Sequence, residues 1–205
     1  MRSRTADAAL RPSAASDWRA PLLALLDDYR QRNLGRANLT RAFSEFVERH
    51  PDCAMRQLAV GHVTASAWLV SADSLRVLLT HHRKLDRWLQ LGGHLDGDSC
   101  VIAAALREAT EESGLRELAI ERALFDLDRH RIPACADEAE HWHYDLRFVV
   151  RAAGSEEFVV SAESHALRWC AIDSLAEDPE ADPSVARMAR LWRQRVSPSA
   201  SDARG

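Results

Sequence analysis

The stretch that most constrains this chain is a helix that ends in like charges. Ser99–Ser113 has helical periodicity and stops at Gly114, a residue suited to the left-handed position just past a helix end. Glu108, Glu111 and Glu112 all fall in its last two turns. At about 100° of rotation per residue, the three carboxylates share roughly 100° of arc, bordering the apolar stripe of Ile102, Ala105, Leu106 and Ala109. Like charges three or four residues apart cost about 0.2–0.5 kcal/mol per pair. Acids in the last turn also oppose the helix dipole by about 0.3–1 kcal/mol each when exposed. A local violation of this kind marks either a solvated acidic end or a place where a divalent cation reverses the sign of the problem. Arg107 stands four residues before Glu111, where it can pair with it and fix its rotamer.

The preceding residues sharpen this reading. A short strand at 88–91 runs into Gly92-Gly93, and Gly97 sits between Asp96 and Asp98. Glycine backbone can approach a ligand closely, and its carbonyl can face a metal. Elsewhere, apolar spacing predicts helices at 18–34, 39–49 and 182–195. Strands are predicted at Gly61–Val70 and Ser74–Thr80, joined by a hairpin at Ala72-Asp73, and at 120–128, 142–152, 157–160 and 166–172. This order implies an α/β protein, a mixed sheet with helices on its faces. The expected division is a tail at 1–17, a helical extension at 18–57, a main domain at 58–195 and a polar tail at 196–205.

Composition excludes some classes. The net charge is −4, so a generally basic nucleic-acid binder is not expected. The longest apolar run, Val101–Leu106, is far short of the ~20 residues of a membrane helix, and no apolar leader follows Met1, so a cytoplasmic location is expected. Cys53, Cys100, Cys135 and Cys170 are widely spaced with no CxxC pair, and each is expected as a small buried or half-buried hydrophobe.

Strand, glycine loop and acidic helix follow in the order of the Nudix box. Gly93, Arg107, Glu108, Ala109, Glu111, Glu112, Gly114 and Leu115 stand at the spacing of that motif. Ser99 occupies the place of its early glutamate, with Asp98 one residue before, and Leu91 stands where many members have proline. Roughly residues 60–175 resemble the family, and the segments 78–90 and 141–148 are similar to an uncharacterised bacterial subgroup. The resemblance implies an α/β/α sandwich around a mixed sheet. It also implies a Mg2+ (or Mn2+)-dependent hydrolase that cleaves a phosphoanhydride in a nucleoside diphosphate derivative or related small molecule, and family members are often homodimers. Carried over, Glu111 and Glu112 would be the principal metal ligands, with the Gly93 carbonyl a further one. Glu108 would be a ligand or the base, and Arg107 would orient the carboxylates. An acid from outside the box is expected, with Asp145 ahead of Glu163. Two alternatives remain: an isoprenoid-diphosphate isomerase on the same fold, and a non-catalytic nucleotide-binding module.

Several other features bear on the site. His141, His143, Asp145 and Arg147 alternate with Trp142, Tyr144, Leu146 and Phe148, which puts a polar row on one strand face. His143 and Asp145 are the members of that row assigned to substrate contact or a second metal. His62, Thr64 and Ser66 form a second such row, readable as pocket lining or as ordinary strand positions. His81–Lys84 is a basic cluster before the box; Arg83 and Lys84 are candidates to clamp substrate phosphates, against the plainer reading of an exposed turn. Asp137–Glu140 is read as a solvated acidic loop, with a lid as the alternative. Trp88 and Trp169 are expected in the core.

Overall fold

The computed structural model describes residues 17–134, 139–162 and 164–196. The tail expected at 1–17 and the one expected at 196–205 fall almost entirely outside them, as do Cys135 and Glu163.

Two helices come first, α1 (Arg19–Arg32) and α2 (Ala37–Arg49), separated by a single 3-10 turn. Seven strands follow: β1 (Gly61–Val70), β2 (Arg76–His82), β3 (Arg87–Leu89), β4 (Leu91–His94), β5 (Leu118–Ile132), β6 (His141–Ala152) and β7 (Ser164–Ala171). Helix α3 (Val101–Ser113) connects β4 to β5, and α4 (Ile172–Glu177) and α5 (Pro183–Val196) close the described chain. The strands form one mixed sheet in the order β3-β2-β1-β6-β5, with β4 paired to β1 and β7 to β2. β1 and β6 run parallel; the other pairs are antiparallel.

Alternation along the central strands sorts the core into two layers. Val63 and Ala65 of β1 and Tyr144, Leu146 and Phe148 of β6 pack under α1, α2 and α3. Trp68 and Val70 of β1 and Val149 of β6 point the other way, against α4 and α5, where Met188, Ala189 and Trp192 are buried. The expected sandwich is therefore present. The N-terminal helices have no core of their own: Phe46 stacks on Tyr144 with ring centroids 3.9 Å apart, and Phe43 meets the same ring edge-on at 5.2 Å.

Helix α3 ends as its sequence predicts. Gly114 adopts φ 71°, its N–H bonds to the Thr110 carbonyl, and Leu115 folds back into the core. The strand expected at 157–160 does not form. The Val159 N–H instead donates to the Ser113 carbonyl at the end of α3, so this segment is spent on a helix terminus and not on a ladder. The short helix α4, the 3-10 turn and four further residues of β5 at its C-terminal end were not legible; β5 is prolonged because His130 and Ile132 find partners on β6.

Two side-chain expectations are corrected. Cys100 is exposed, because it stands at the start of α3 outside the apolar stripe, whereas Cys53 and Cys170 are buried. Trp88 and Trp169 are half-buried at the border of the core, covered by the guanidinium groups of Arg168 and Arg76 respectively; the fully buried tryptophans are Trp68 and Trp192.

Because Phe43 is completely buried in the layer shared by α2 and the sheet, Phe43→Ala should cost about 3–5 kcal/mol. In urea titration the whole chain should unfold earlier in one transition; an unchanged midpoint for the sheet would show that the N-terminal helices are energetically separate.

Candidate functional site

The acidic helix end and the double glycine meet as one unit. β4 runs antiparallel to β1, with Gly93 opposite Ala65 and Gly92 opposite Ser66, and α3 returns across it. The Gly92 N–H donates to Glu112 Oε1 at 3.0 Å. Gly93 lies against Glu108: a Cβ there would stand 2.7 Å from Glu108 Oε2, closer than a real side chain tolerates. Arg107 ties the group together. Its guanidinium donates to Glu108 Oε1 at 2.7 Å, to Glu111 Oε2 at 3.2 Å and to the His94 carbonyl at 3.0 Å. The pairing with Glu111 expected from spacing is present, and the same guanidinium reaches two further acceptors that spacing did not indicate.

These residues form one wall of a cavity of about 610 Å3. Gly93, Arg107, Glu108 and Glu111 line this wall; Thr64, Ser66, His143 and Asp145 come from the sheet, and Arg83 and Lys84 from the β2–β3 turn. These ten residues, all singled out in the sequence, thus meet around one space. Glu112 does not line it: its buried carboxylate lies under β4, engaged by Gly92. Asp98 does not line it either. Its carboxylate accepts the Cys100 N–H at 2.9 Å, in the turn that leads into α3. Of the acidic loop, Glu140 pairs with Arg131, while 135–138 lie outside the described residues. His81 stacks on Trp88 and pairs with Asp86, away from the cavity.

Asp145 is built into the cavity floor and is only 2 % exposed. Thr64 and Ser66 donate to its Oδ1 at 3.0 and 2.8 Å, and Arg147 and Gln90 donate to Oδ2 at 2.7 and 3.4 Å. Arg147 in turn meets Asp126 and Asp128 of β5, and Arg187 of α5 joins both. Asp126, Asp128, Arg187 and Gln90 were missed in the sequence. Asp126 and Asp128 showed there only as charges on a strand and Arg187 as a charge on a helix, which does not say which face is covered, and Gln90 gave no signal.

A histidine cluster adjoins this floor. His62 and His143 are paired across the parallel strands, and His94 sits one strand away on β4. Their ring centroids lie 4.6 to 5.3 Å apart. Among the described residues, these three form the one group of potential metal ligands whose donor atoms already lie within 4.8 Å of one another. His62 is 2 % exposed and neither of its ring nitrogens has a hydrogen-bond partner. Burial pushes its pKa down to about 3, reinforced by His94, His141 and Arg56. Burial likewise pushes His143 down to about 2, reinforced by its four histidine neighbours His62, His130, His94 and His141.

A histidine whose folded pKa lies below its unfolded value of about 6.5 leaves the unfolded chain binding more protons. Its neutral, buried state therefore favours folding fully above about pH 6.5, and that contribution is lost as pH falls towards the folded value. Metal-free protein should accordingly lose thermal stability steadily between pH 6.5 and 5, above the main carboxylate range. The His62→Leu variant should show a shallower fall; equal slopes for the two proteins would exclude His62 as a source.

The sequence model of the NUDIX domain matches residues 60–191, which span the sheet, α3 and most of α5. No curated protein matches the chain. Among solved structures, it is similar to a Nudix-family hydrolase from Clostridium perfringens, with 21% identity over 65% of this chain and 97% of that one and a TM-score of 0.52. It is also similar to a binary complex of a C. elegans Ap4A hydrolase, with 15% identity over 67% of this chain and 98% of that one and a TM-score of 0.53. At such identities the likeness is one of fold, and it adds to a domain match that spans more than half of the chain and includes the glycine–glutamate unit. The chain belongs to the Nudix hydrolase family.

Proposed function

We propose that this protein hydrolyses a phosphoanhydride bond in a nucleoside diphosphate derivative or a related small diphosphate, using Mg2+ or Mn2+ held at the α3–β4 wall. The observation that carries this reading is the clamp of Arg107 on Glu108 and Glu111 at the edge of a cavity that Arg83 and Lys84 also line.

The donors on that wall suit a hard cation, which prefers oxygen. Glu108 and Glu111 supply carboxylates and Gly93 a carbonyl. The missing side chain at Gly93 is what lets the backbone and the Glu108 carboxylate lie against each other. Glu112 would join this set on giving up its bond to the Gly92 N–H. When bound, such an ion neutralises phosphate charge and lowers the pKa of a coordinated water.

The chain's own residues supply the remaining chemistry. Arg107 holds Glu108 through Oε1, which presents Oε2 beside Gly93 as the atom that takes the water proton. Arg83 and Lys84, lining the same cavity, offset phosphate charge. Asp145 accepts four hydrogen bonds, so it fixes the floor and orients Thr64, Ser66 and Gln90 without moving a proton. The isomerase alternative needs a protonating acid facing the substrate, a role that a cysteine thiol can fill. Among the described residues no cysteine lines the cavity, which favours hydrolysis. A non-catalytic module would bind nucleotide without turnover.

A screen of nucleoside diphosphate derivatives with Mg2+ and Mn2+, scored for phosphate-containing products, should identify a substrate whose turnover stops on chelation. Glu108→Gln should lower kcat by about 10²–10⁴-fold, with an unchanged circular dichroism spectrum. Full activity in Glu108→Gln and Glu111→Gln would remove this assignment.

Gly93→Ala should also lose activity, since the added methyl meets the Glu108 carboxylate. Normal turnover by that variant would show that the close approach of β4 to α3 is not part of the site.

A further inference from the structure

The glutamate wall leaves one cluster unexplained. His62, His94 and His143 come from three neighbouring strands, and His94 and His143 reach the cavity while His62 is buried behind them. We propose that these three imidazoles form a second cation site, for a divalent transition-metal ion of the zinc type, opening into the same cavity.

Geometry and chemistry both support this site. Strand register pins the three rings, because His62 is paired with His143 and Thr64 with His94. Zinc–nitrogen bonds of about 2.0–2.1 Å place tetrahedral ligand nitrogens roughly 3.3 Å apart. The observed donors, within 4.8 Å of one another, reach that arrangement by small side-chain rotations. A buried imidazole normally finds a hydrogen-bond partner, yet both nitrogens of His62 are without one. A cation supplies the partner that the protein does not.

The neighbouring ring supports the same assignment. His141 Nδ1 lies 2.8 Å from the Ala139 carbonyl, which can only accept, so that nitrogen carries the proton. With a proton on Nδ1, His141 offers Nε2 as an acceptor, 3.2 Å from Nε2 of His143. His143 must donate from Nε2, and its lone pair is left on Nδ1. Metal-binding histidines commonly have their second nitrogen fixed in this way. Arg56 is the cationic group facing His62, and the Asp96 carboxylate lies 4.0 Å from its guanidinium.

Three imidazoles and no carboxylate select against Mg2+ and in favour of Zn2+ and its neighbours, so this site and the glutamate wall differ in the ion they prefer. A set of three protein ligands also leaves a position towards the cavity for water or a phosphate oxygen. The proposal does not depend on the glutamates being catalytic.

The experiment uses the full chain stripped with EDTA and titrated with Zn2+ by calorimetry and with Co2+ by visible absorption. One Zn2+ per chain is expected, with the intense Co2+ bands of a low-coordinate nitrogen site. The Glu108→Gln/Glu111→Gln double variant should keep that equivalent, and His62→Leu and His143→Asn should lose it. His141→Phe should weaken Zn2+ binding about 10–100-fold, as for loss of an orienting partner. X-ray absorption of the zinc-loaded wild type should show imidazole nitrogens at about 2.0–2.1 Å, and this measurement decides the matter if the histidine variants do not fold. No retained zinc, an all-oxygen shell, or an equivalent lost with the glutamates and kept without His62 would each overturn the proposal.

Discussion

A buried guanidinium organises this molecule. Arg147 is 1 % exposed at the centre of β6 and is surrounded by Asp145, Asp126 and Asp128 at 2.7, 3.4 and 3.3 Å. Taking such charges out of water costs several kcal/mol per ion, and only a filled set of partners offsets it. The set is filled from four parts of the chain: β6 itself, β5, Arg187 of α5 and Arg36 of the turn before α2. Each of these elements must therefore be in place for the others to be tolerated. Asp128 shows the balance: desolvation would raise its pKa, but His130, Arg147 and Arg187 together hold it below the usual carboxylate range.

This constraint reaches the site through Asp145. Its carboxylate is shared between the buried arginine and the donors of the cavity floor. One face of the sheet thus changes character along its length. At one end it carries histidines and the Asp145 network; at the other, Trp68 and Val149 under α5. The cavity opens at the polar end because β4 ends there and α3 brings its glutamates to the rim. Arg107 and the Gly92 N–H help to meet the local cost of three acids in the last turns of a helix. Glu111, with its side chain 60 % exposed, stays available on the wall.

Two chemistries share the cavity. The α3–β4 wall is made of oxygen donors and the sheet contributes imidazoles. Arg83, Lys84 and Arg107 line the same space. The lack of any side chain at Gly93 keeps the wall thin enough for Glu108 to reach it.

Much of this was legible in the sequence, and for definite reasons. Helix α3, its terminator Gly114 and the arc of Glu108, Glu111 and Glu112 follow from local periodicity and backbone sterics, which act within a few residues. The alternation of His141 to Phe148 likewise fixed which residues share a face. Register and layer order were not legible, because they are set by pairing between segments far apart in the chain. His62 meets His143 only once β1 and β6 run parallel in that register, and Asp126 is buried only once α5 covers it. The same limit hid the diversion of Glu112 to the Gly92 N–H. Local sequence determined which groups are acidic, cationic or apolar along each element; tertiary packing alone decided which of them lose their water and must find partners in one another.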